Sequence, residues 1–593
     1  MTNDGWDAVR WVAADDVRTL VCESGTLLIE GGVFEVEGEN GPAALRRLAA
    51  LIDREGPAAL AKADGDFVAC LIAPREVHAF KSFTSQYQLY YRDGDRRISN
   101  RLGDFFDSRS SRWSEDYFAQ HVLIVPGHQF FDRGTPLAGV SRVLPGELVS
   151  IGVGVRRAQL VTRDYRYRLD PAQKREEIAP RILDVLRRSI RNRLAAYGDA
   201  GICIEISGGL DSSFIACLVG EQRASGVRGV MFSQPKLPTH AISEGYAREV
   251  AERYGIDLVV MPPQDIPPVP DTEPAYSDEP SDFFWFGDMF SKAVARVADP
   301  DSLVFTGFGA DQLFLRNSSF LPYLLRRGEG RLFLQALGPV SDLMSRGRAN
   351  LGWQSVLSLM PDGLHQRLIR AFAGKLWNPW DVSDVDMARM LTNPVPWLRG
   401  GQGLEAYTQQ RLAREAELVG DGVISDDWGY FSAPRAVTQP HFAAKRLVDA
   451  SPFCDLPLLD VMYNDVSALL VHDFKSRYKE LLRECQQGIV PESLRARRND
   501  TFVFNSFQLN YVQAARGYFE SLLGELPDAW ADKAAIRQAL EELMFGIATS
   551  STRSVTAMMG YLGWRRSFIG HAASLRGAKT GGIFSAQVAA SVS

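Results

Sequence analysis

A chain of 593 residues with 46% hydrophobic and 23% charged side chains is too long for one core and too apolar to stay disordered, so it divides into at least two globular domains. Its formal net charge of -6 comes without a concentrated basic stripe, which excludes nucleic acid as an expected partner. The six cysteines are scattered, with no CxxC pair and no His cluster at metal spacing. A structural zinc is therefore excluded, and buried free thiols in a reducing cytoplasm are expected. The polar N-terminus lacks a signal-peptide pattern and no stretch is apolar enough to span a bilayer, so no membrane partner is expected.

The first part of the chain reads as β. Runs at Thr26 to Glu30, Val33 to Val36 and Phe67 to Ile72 are short, rich in β-branched or aromatic residues and separated by glycine or charged turns. One helix is predicted around Ala43 to Ile52, and short strands continue through Glu147 to Ile151. The polar segment from Arg163 to Lys174 places a domain boundary, leaving domains over 1–165 and 175–593.

The pattern then changes. Ile178, Ile182, Leu186, Ile190 and Leu194 recur at helical spacing. A buried-type strand at Ile202 to Ile206 follows. Strands at Val227 to Phe232, Leu258 to Met261 and Leu303 to Thr306 then alternate with helices at Ser243 to Tyr254 and Phe283 to Val297. That alternation predicts a doubly wound parallel α/β sheet with helices on both faces. Beyond about Gln312 the chain reads as mainly helical.

Just past the first strand of that series stands Ser207-Gly208-Gly209-Leu210-Asp211-Ser212-Ser213, leading into a helix expected to begin near Ser212. The glycines allow a tight turn, and amides and hydroxyls can point into one concavity. The helix N-terminus favours an anion, and Asp211 can hold Mg²⁺ against phosphate oxygens. A plain glycine-rich turn explains a lone pair of glycines, but not seven residues in this order between strand and helix.

This motif resembles the pyrophosphate-loop signature of the asparagine-synthetase family, and with no GK[ST] it differs from a Walker A loop. The resemblance implies cleavage of ATP between its α and β phosphates, giving an acyl-adenylate and then an amide. Thr306-Gly307-Phe308-Gly309-Ala310-Asp311 is similar to the family's second acidic loop. Carried over, Asp211 and Asp311 become the Mg²⁺ ligands. Ser207, Gly208, Gly209, Ser212, Ser213, Phe232, Gly307 and Phe308 are expected around the nucleotide and adenylate. The Ser243 to Arg248 helix, the Asp278-Glu279-Pro280 turn, Tyr478 to Glu484 and Pro491 to Arg497 resemble further family stretches. The family's C-terminal pyrophosphate-contacting lysine falls on Asn499, so Arg498 is expected to supply that charge, with Arg497 or Lys479 as alternatives. The general base is left open.

The N-terminal part resembles a class II glutamine amidotransferase domain through Ala63 to Ala69, Gln88-Leu89-Tyr90-Tyr91 and Leu144-Pro145-Gly146. This implies an Ntn-hydrolase-like αββα domain. The order Met1-Thr2-Asn3 replaces the family's nucleophilic N-terminal cysteine, so a degenerate glutaminase is expected. Relatives of that kind use an amine already present in the substrate, as β-lactam synthetases and lasso-peptide macrolactam cyclases do. Phe308 stands where β-lactam synthetases carry a base-linked tyrosine, and phenylalanine has no proton to relay. The resulting expectation is an ATP- and Mg²⁺-dependent cyclase acting on a leader-processed core peptide, with a leader peptidase or leader-binding protein as partner. Another amine-using synthetase, of the asparagine or β-lactam type, is the alternative. Phe283, Phe284, Trp285, Phe308, Phe502 and Phe504 are candidates for a peptide chamber.

Overall fold

The structure is a computed structural model describing residues 9–10, 17–74, 76–92, 97–123, 133–152, 156–160, 165, 167–223, 225–233, 240–262, 277–280, 284–314, 320–343, 347–357, 359, 395, 397–399, 440–472, 478–497, 516–545 and 550–577. In chain order the first half holds β1 (Val9–Arg10), β2 (Val17–Cys22), β3 (Gly25–Val36), β4 (Glu39–Asn40), α1 (Gly41–Glu55), β5 (Ala63–Ile72), β6 (Glu76–Lys81), β7 (Tyr90–Arg92), β8 (Arg97–Ser99), α2 (Glu115–Leu123), β9 (Ser141–Arg142), β10 (Glu147–Gly152) and β11 (Arg156–Leu160). A seven-stranded sheet runs β11-β10-β6-β5-β3-β2 with β4 beside β3, and a four-stranded sheet runs β1-β8-β7-β9.

Alternation along the strands decides what covers each face. Leu27, Ile29, Phe67, Ala69 and Leu71 pack under Leu48, Leu51 and Ile52 of α1. Leu28, Val68 and Cys70 point the other way, onto Leu89 and onto Tyr91 and Ile98 of the smaller sheet. Tyr90 faces away from Tyr91 and joins Tyr117 and Phe118 of α2. The layers are thus helix, sheet, sheet, helix.

β3 is one twelve-residue strand where the glycine pair at 31 and 32 predicts two. The pair forms an irregularity within the strand: Gly31 has φ +96°, and a Cβ there would lie 2.2 Å from the Asp66 carbonyl. The register on β5 shifts between Val33 and Glu35.

The second half contains α3 (Arg175–Tyr197), β12 (Ile202–Glu205), α4 (Leu210–Gln222), β13 (Val227–Phe232), α5 (His240–Tyr254), β14 (Asp257–Met261), α6 (Phe284–Val297), β15 (Leu303–Phe305), α7 (Ala310–Phe314), α8 (Phe320–Arg326), α9 (Gly330–Leu343), α10 (Arg348–Leu357), α11 (Pro440–Lys445) and β16 (Val448–Ala450). Its sheet has the order β14-β13-β12-β15-β16, and every pairing is parallel. Ile202 and Ile204 face α3, α4 and α5 through Ile182, Phe214 and Val250. Cys203, Val230 and Val304 face Val294 and Val297 of α6 and Phe442 of α11 on the opposite side. Helices therefore cover both faces, as the alternating pattern predicts.

Several element bounds differ from expectation. β16 adds a fifth strand in a region read as helical, because Val-Asp-Ala is too short to show a period. α5 begins at His240, three residues before Ser243. Towards the C-terminus, α12 (Glu480–Cys485) is followed by α13 (Ser550–Gly577) among the elements that matter below. Trp564 and Phe568 of α13 are buried among Phe106, Tyr117 and Phe118 from the first half. No helix among the described residues is long and apolar enough to cross a membrane.

Candidate functional site

The strands of the parallel sheet run outward in both directions from β12, so the chain reverses its winding between β12 and β15. Open α/β sheets bind ligands beyond the carboxyl ends of the strands at such a switch point. Both acidic loops leave from there. After β12, Gly208 takes φ +70°, and a Cβ on it would stand 1.9 Å from the Ser243 carbonyl of α5. The loop passes so close to α5 that only glycine fits. Gly209 is extended and caps α4, which starts at Leu210. The helix thus begins two residues before the expected Ser212 and takes Asp211 into its first turn.

Within the loop, the Ser207 amide donates to Ser212 Oγ at 3.0 Å, the two serine hydroxyls lie 2.9 Å apart, and the Gly209 amide donates to Ser207 Oγ at 3.2 Å. Ser213 is fully buried, and its Oγ has no hydrogen-bond partner among the described residues. Beyond β15, Gly307 presses against the same helix start: a Cβ there would be 2.5 Å from the Ser212 amide nitrogen. The Phe308 amide donates to Thr306 Oγ1 at 3.2 Å, and its carbonyl accepts from Cys454 Sγ at 3.8 Å.

Asp211 and Asp311 converge on one atom. Lys479 Nζ lies 2.7 and 2.6 Å from the two Asp211 carboxylate oxygens and 2.5 Å from Asp311 Oδ1. The lysine side chain is 1% exposed, against 26% for Asp211 and 56% for Asp311. Burial alone would lower the Lys479 pKa, but Asp211 and Asp311 more than offset this and hold it above the ordinary lysine value. The Tyr478 hydroxyl stands 3.5 Å from Asp311 Oδ1, and burial pushes its pKa up to about 12.

Lys479 itself is left-handed, at φ 53° and ψ 41°. Its place is fixed by Arg483, 1% exposed, whose Nε donates to the Tyr478 carbonyl at 2.8 Å and whose Nη1 donates to the Arg495 carbonyl. Gln486 Nε2 donates to the Leu210 carbonyl at 3.0 Å, tying this segment to the start of α4. Arg497 donates to the Gly208 carbonyl and stacks over the Tyr246 ring at 5.2 Å.

Of the expected residues, Ser207, Gly208, Gly209, Asp211, Ser212, Ser213, Gly307, Phe308 and Asp311 gather at the two loops. Phe232 ends β13, one strand away, with its ring edge-on to Phe290 at 4.3 Å. Arg498, Asn499, Phe283, Phe502, Phe504 and Thr2 lie outside the described residues, as do the side chains of Phe284 and Trp285. Lys479, named only as an alternative, is the cation at the centre. Tyr478, Arg483 and Gln486 carry no individual signal in the sequence, although they stand with Lys479 in the family-like Tyr478 to Glu484 stretch or just beyond it.

Three carboxylate oxygens within 2.7 Å of one cationic atom can share a cation, and hard oxygen donors suit Mg²⁺ held jointly with phosphate. Residues 181–565 match the family model described as asparagine synthase, and the chain belongs to this family. It is accordingly an ATP-dependent, amide-forming enzyme of the asparagine-synthetase type, and the family uses ATP, generally with Mg²⁺. No curated protein matches the chain.

Proposed function

We propose that this enzyme activates a side-chain carboxylate of a leader-processed core peptide as an acyl-adenylate and closes a macrolactam with the peptide's N-terminal amine, as lasso-peptide cyclases do. The observation that carries the adenylating part is the convergence of Asp211, Asp311 and Lys479 at the ends of adjacent parallel strands. In this reading the loop from Ser207 to Ser213 holds the triphosphate, with Gly307 and Phe308 beside the adenylate. Arg497, which donates to the Gly208 carbonyl, is placed to supply a guanidinium to the phosphates, alongside the Arg498 expected from the sequence. Mg²⁺ held by Asp211 and Asp311 would neutralise charge on the phosphates.

A peptide carboxylate oxygen attacks the α-phosphorus and pyrophosphate leaves. The peptide amine then attacks the acyl carbon, AMP leaves, and the amine gives up a proton. Lys479 is placed to counter the charge that develops on the departing pyrophosphate. The amine has an ordinary pKa near 8 and needs little activation. Orientation in a chamber supplies much of the rate, since effective molarities can offset several kcal/mol of barrier.

The source of the amine is the second element of the proposal. All six cysteines are buried free thiols, and burial pushes Cys70, Cys203 and Cys217 up to about 12. None is the exposed thiol that glutamine hydrolysis needs. This supports reading residues 1–165 as a degenerate amidotransferase-like domain of the Ntn-hydrolase type, and the helix-sheet-sheet-helix layering supports it too. Residues 175–593 would form the synthetase domain. The test is incubation of the enzyme with ATP, Mg²⁺ and a leader-free core peptide. A product lighter by one water, formed with AMP and pyrophosphate, is expected. Consumption of aspartate and ammonia with the peptide untouched would replace the cyclase by an asparagine synthetase.

A further inference from the structure

We infer that Lys479 and the divalent cation are alternative occupants of the Asp211 and Asp311 carboxylates, so that the metal enters with the nucleotide and not before it. The inference rests on the assignment of those carboxylates as metal ligands. Both oxygens of Asp211 and one of Asp311 are already within 2.7 Å of the lysine Nζ. A metal binding the same oxygens would bring a second positive charge to within a few ångströms of a shielded ammonium, where repulsion is screened far less than in water. The ammonium must therefore leave when the metal arrives.

Its side chain is 1% exposed, so water does not solvate the ammonium where it stands. It needs another anion within reach of its stem. The backbone of Lys479 is pinned by Arg483 through the Tyr478 and Arg495 carbonyls, so only the side-chain torsions can swing. The Ser207 to Ser213 loop lies against the same carboxylate, and a nucleotide phosphate in it would give the swung ammonium its new partner. Without phosphate the exchange strands the lysine; with phosphate both cations are matched. Metal and nucleotide must then strengthen each other's binding by one common factor, and Lys479 carries a large share of that factor.

The experiment is Mn²⁺ binding to the full chain, followed by electron paramagnetic resonance, with and without α,β-methylene-ATP. Wild type should bind Mn²⁺ alone weakly and bind it strongly with the analogue. Lys479→Met should bind Mn²⁺ alone at least about tenfold tighter than wild type, a difference well outside measurement error, and should show a smaller gain from the analogue. Equal Mn²⁺ affinity of wild type with and without the analogue would overturn the inference, and this arm needs no variant to fold. So would a Lys479→Met protein that binds Mn²⁺ alone no tighter than wild type. Asp211→Asn and Asp311→Asn separate the two levels: if they bind Mn²⁺ with the analogue as wild type does, the metal-ligand assignment itself is wrong. If they lose that binding while Lys479→Met behaves as wild type, only the exchange fails.

Discussion

At position 479 a lysine holds a left-handed backbone, a conformation that costs about 1–3 kcal/mol for a residue with a side chain. The surroundings that enforce it are specific. Arg483 braces the turn from one side, and two carboxylates hold the ammonium from the other. Such strain at a convergence of charge is a mark of a working site rather than of packing. If Asp211 and Asp311 handle the metal and the phosphates, Asp211→Asn and Asp311→Asn should each lower AMP formation by at least about a hundredfold, the scale seen when one preorganised electrostatic contact is lost. The unfolding midpoint of Asp311→Asn should stay close to wild type, since that carboxylate is more than half exposed, whereas Asp211→Asn should lower it, because both Asp211 oxygens hold the buried Lys479 ammonium. Quantifying AMP release beside a thermal melt checks both statements, and normal turnover in either variant would contradict the roles given to these residues.

The two loops work as one element because Gly307 lies on the start of α4. A methyl group there would meet the Ser212 nitrogen at 2.5 Å, and backbone cannot yield as a side-chain tip can. Gly307→Ala should cost about 1–3 kcal/mol of stability by overpacking and should weaken ATP binding by displacing the loop, both measurable by denaturant titration and nucleotide binding. The loops were legible because seven residues in fixed order, set between a strand and a helix, leave few alternatives. The parallel sheet was legible from its alternating helices and strands. The partner of the two aspartates was not. Lys479 follows Asp211 by 268 residues, in a stretch that reads alone as a surface helix, and only the tertiary fold turns it inward. The strand Val448–Ala450 was hidden for a simpler reason: three residues carry no period.

Across the whole molecule, charged groups of the first half meet the turn that precedes α6. Arg142 and Glu279, both without exposed side-chain surface, pair at 3.0 Å, and the Tyr90 hydroxyl donates to Glu279 at 2.9 Å. Trp564 of α13 donates to the Ser277 carbonyl at 2.9 Å. Beside this network Lys81 is fully buried, donating to Gln88 Oε1 at 2.9 Å, and burial lowers its pKa to about 7 despite the opposing pull of Glu279. An unfolded lysine keeps its proton up to about pH 10.4, whereas this one releases it near 7, so folding expels a proton between those values. Its contribution to stability is therefore present above the unfolded pKa and is lost as pH falls towards 7. Lys81→Met removes that dependence. Its stability relative to wild type should rise as pH is lowered from 10 to 7, which urea titrations across that range would show. A difference that stays flat would mean the buried lysine is charged throughout.

The central claim is that a substrate carboxylate attacks the α-phosphorus of ATP. Turnover of a substrate carrying ¹⁸O in that carboxylate tests it most directly, with the label followed by mass spectrometry. One labelled oxygen in AMP, with none in pyrophosphate, is the predicted result. Label in inorganic phosphate, with ADP as the other product, would contradict it.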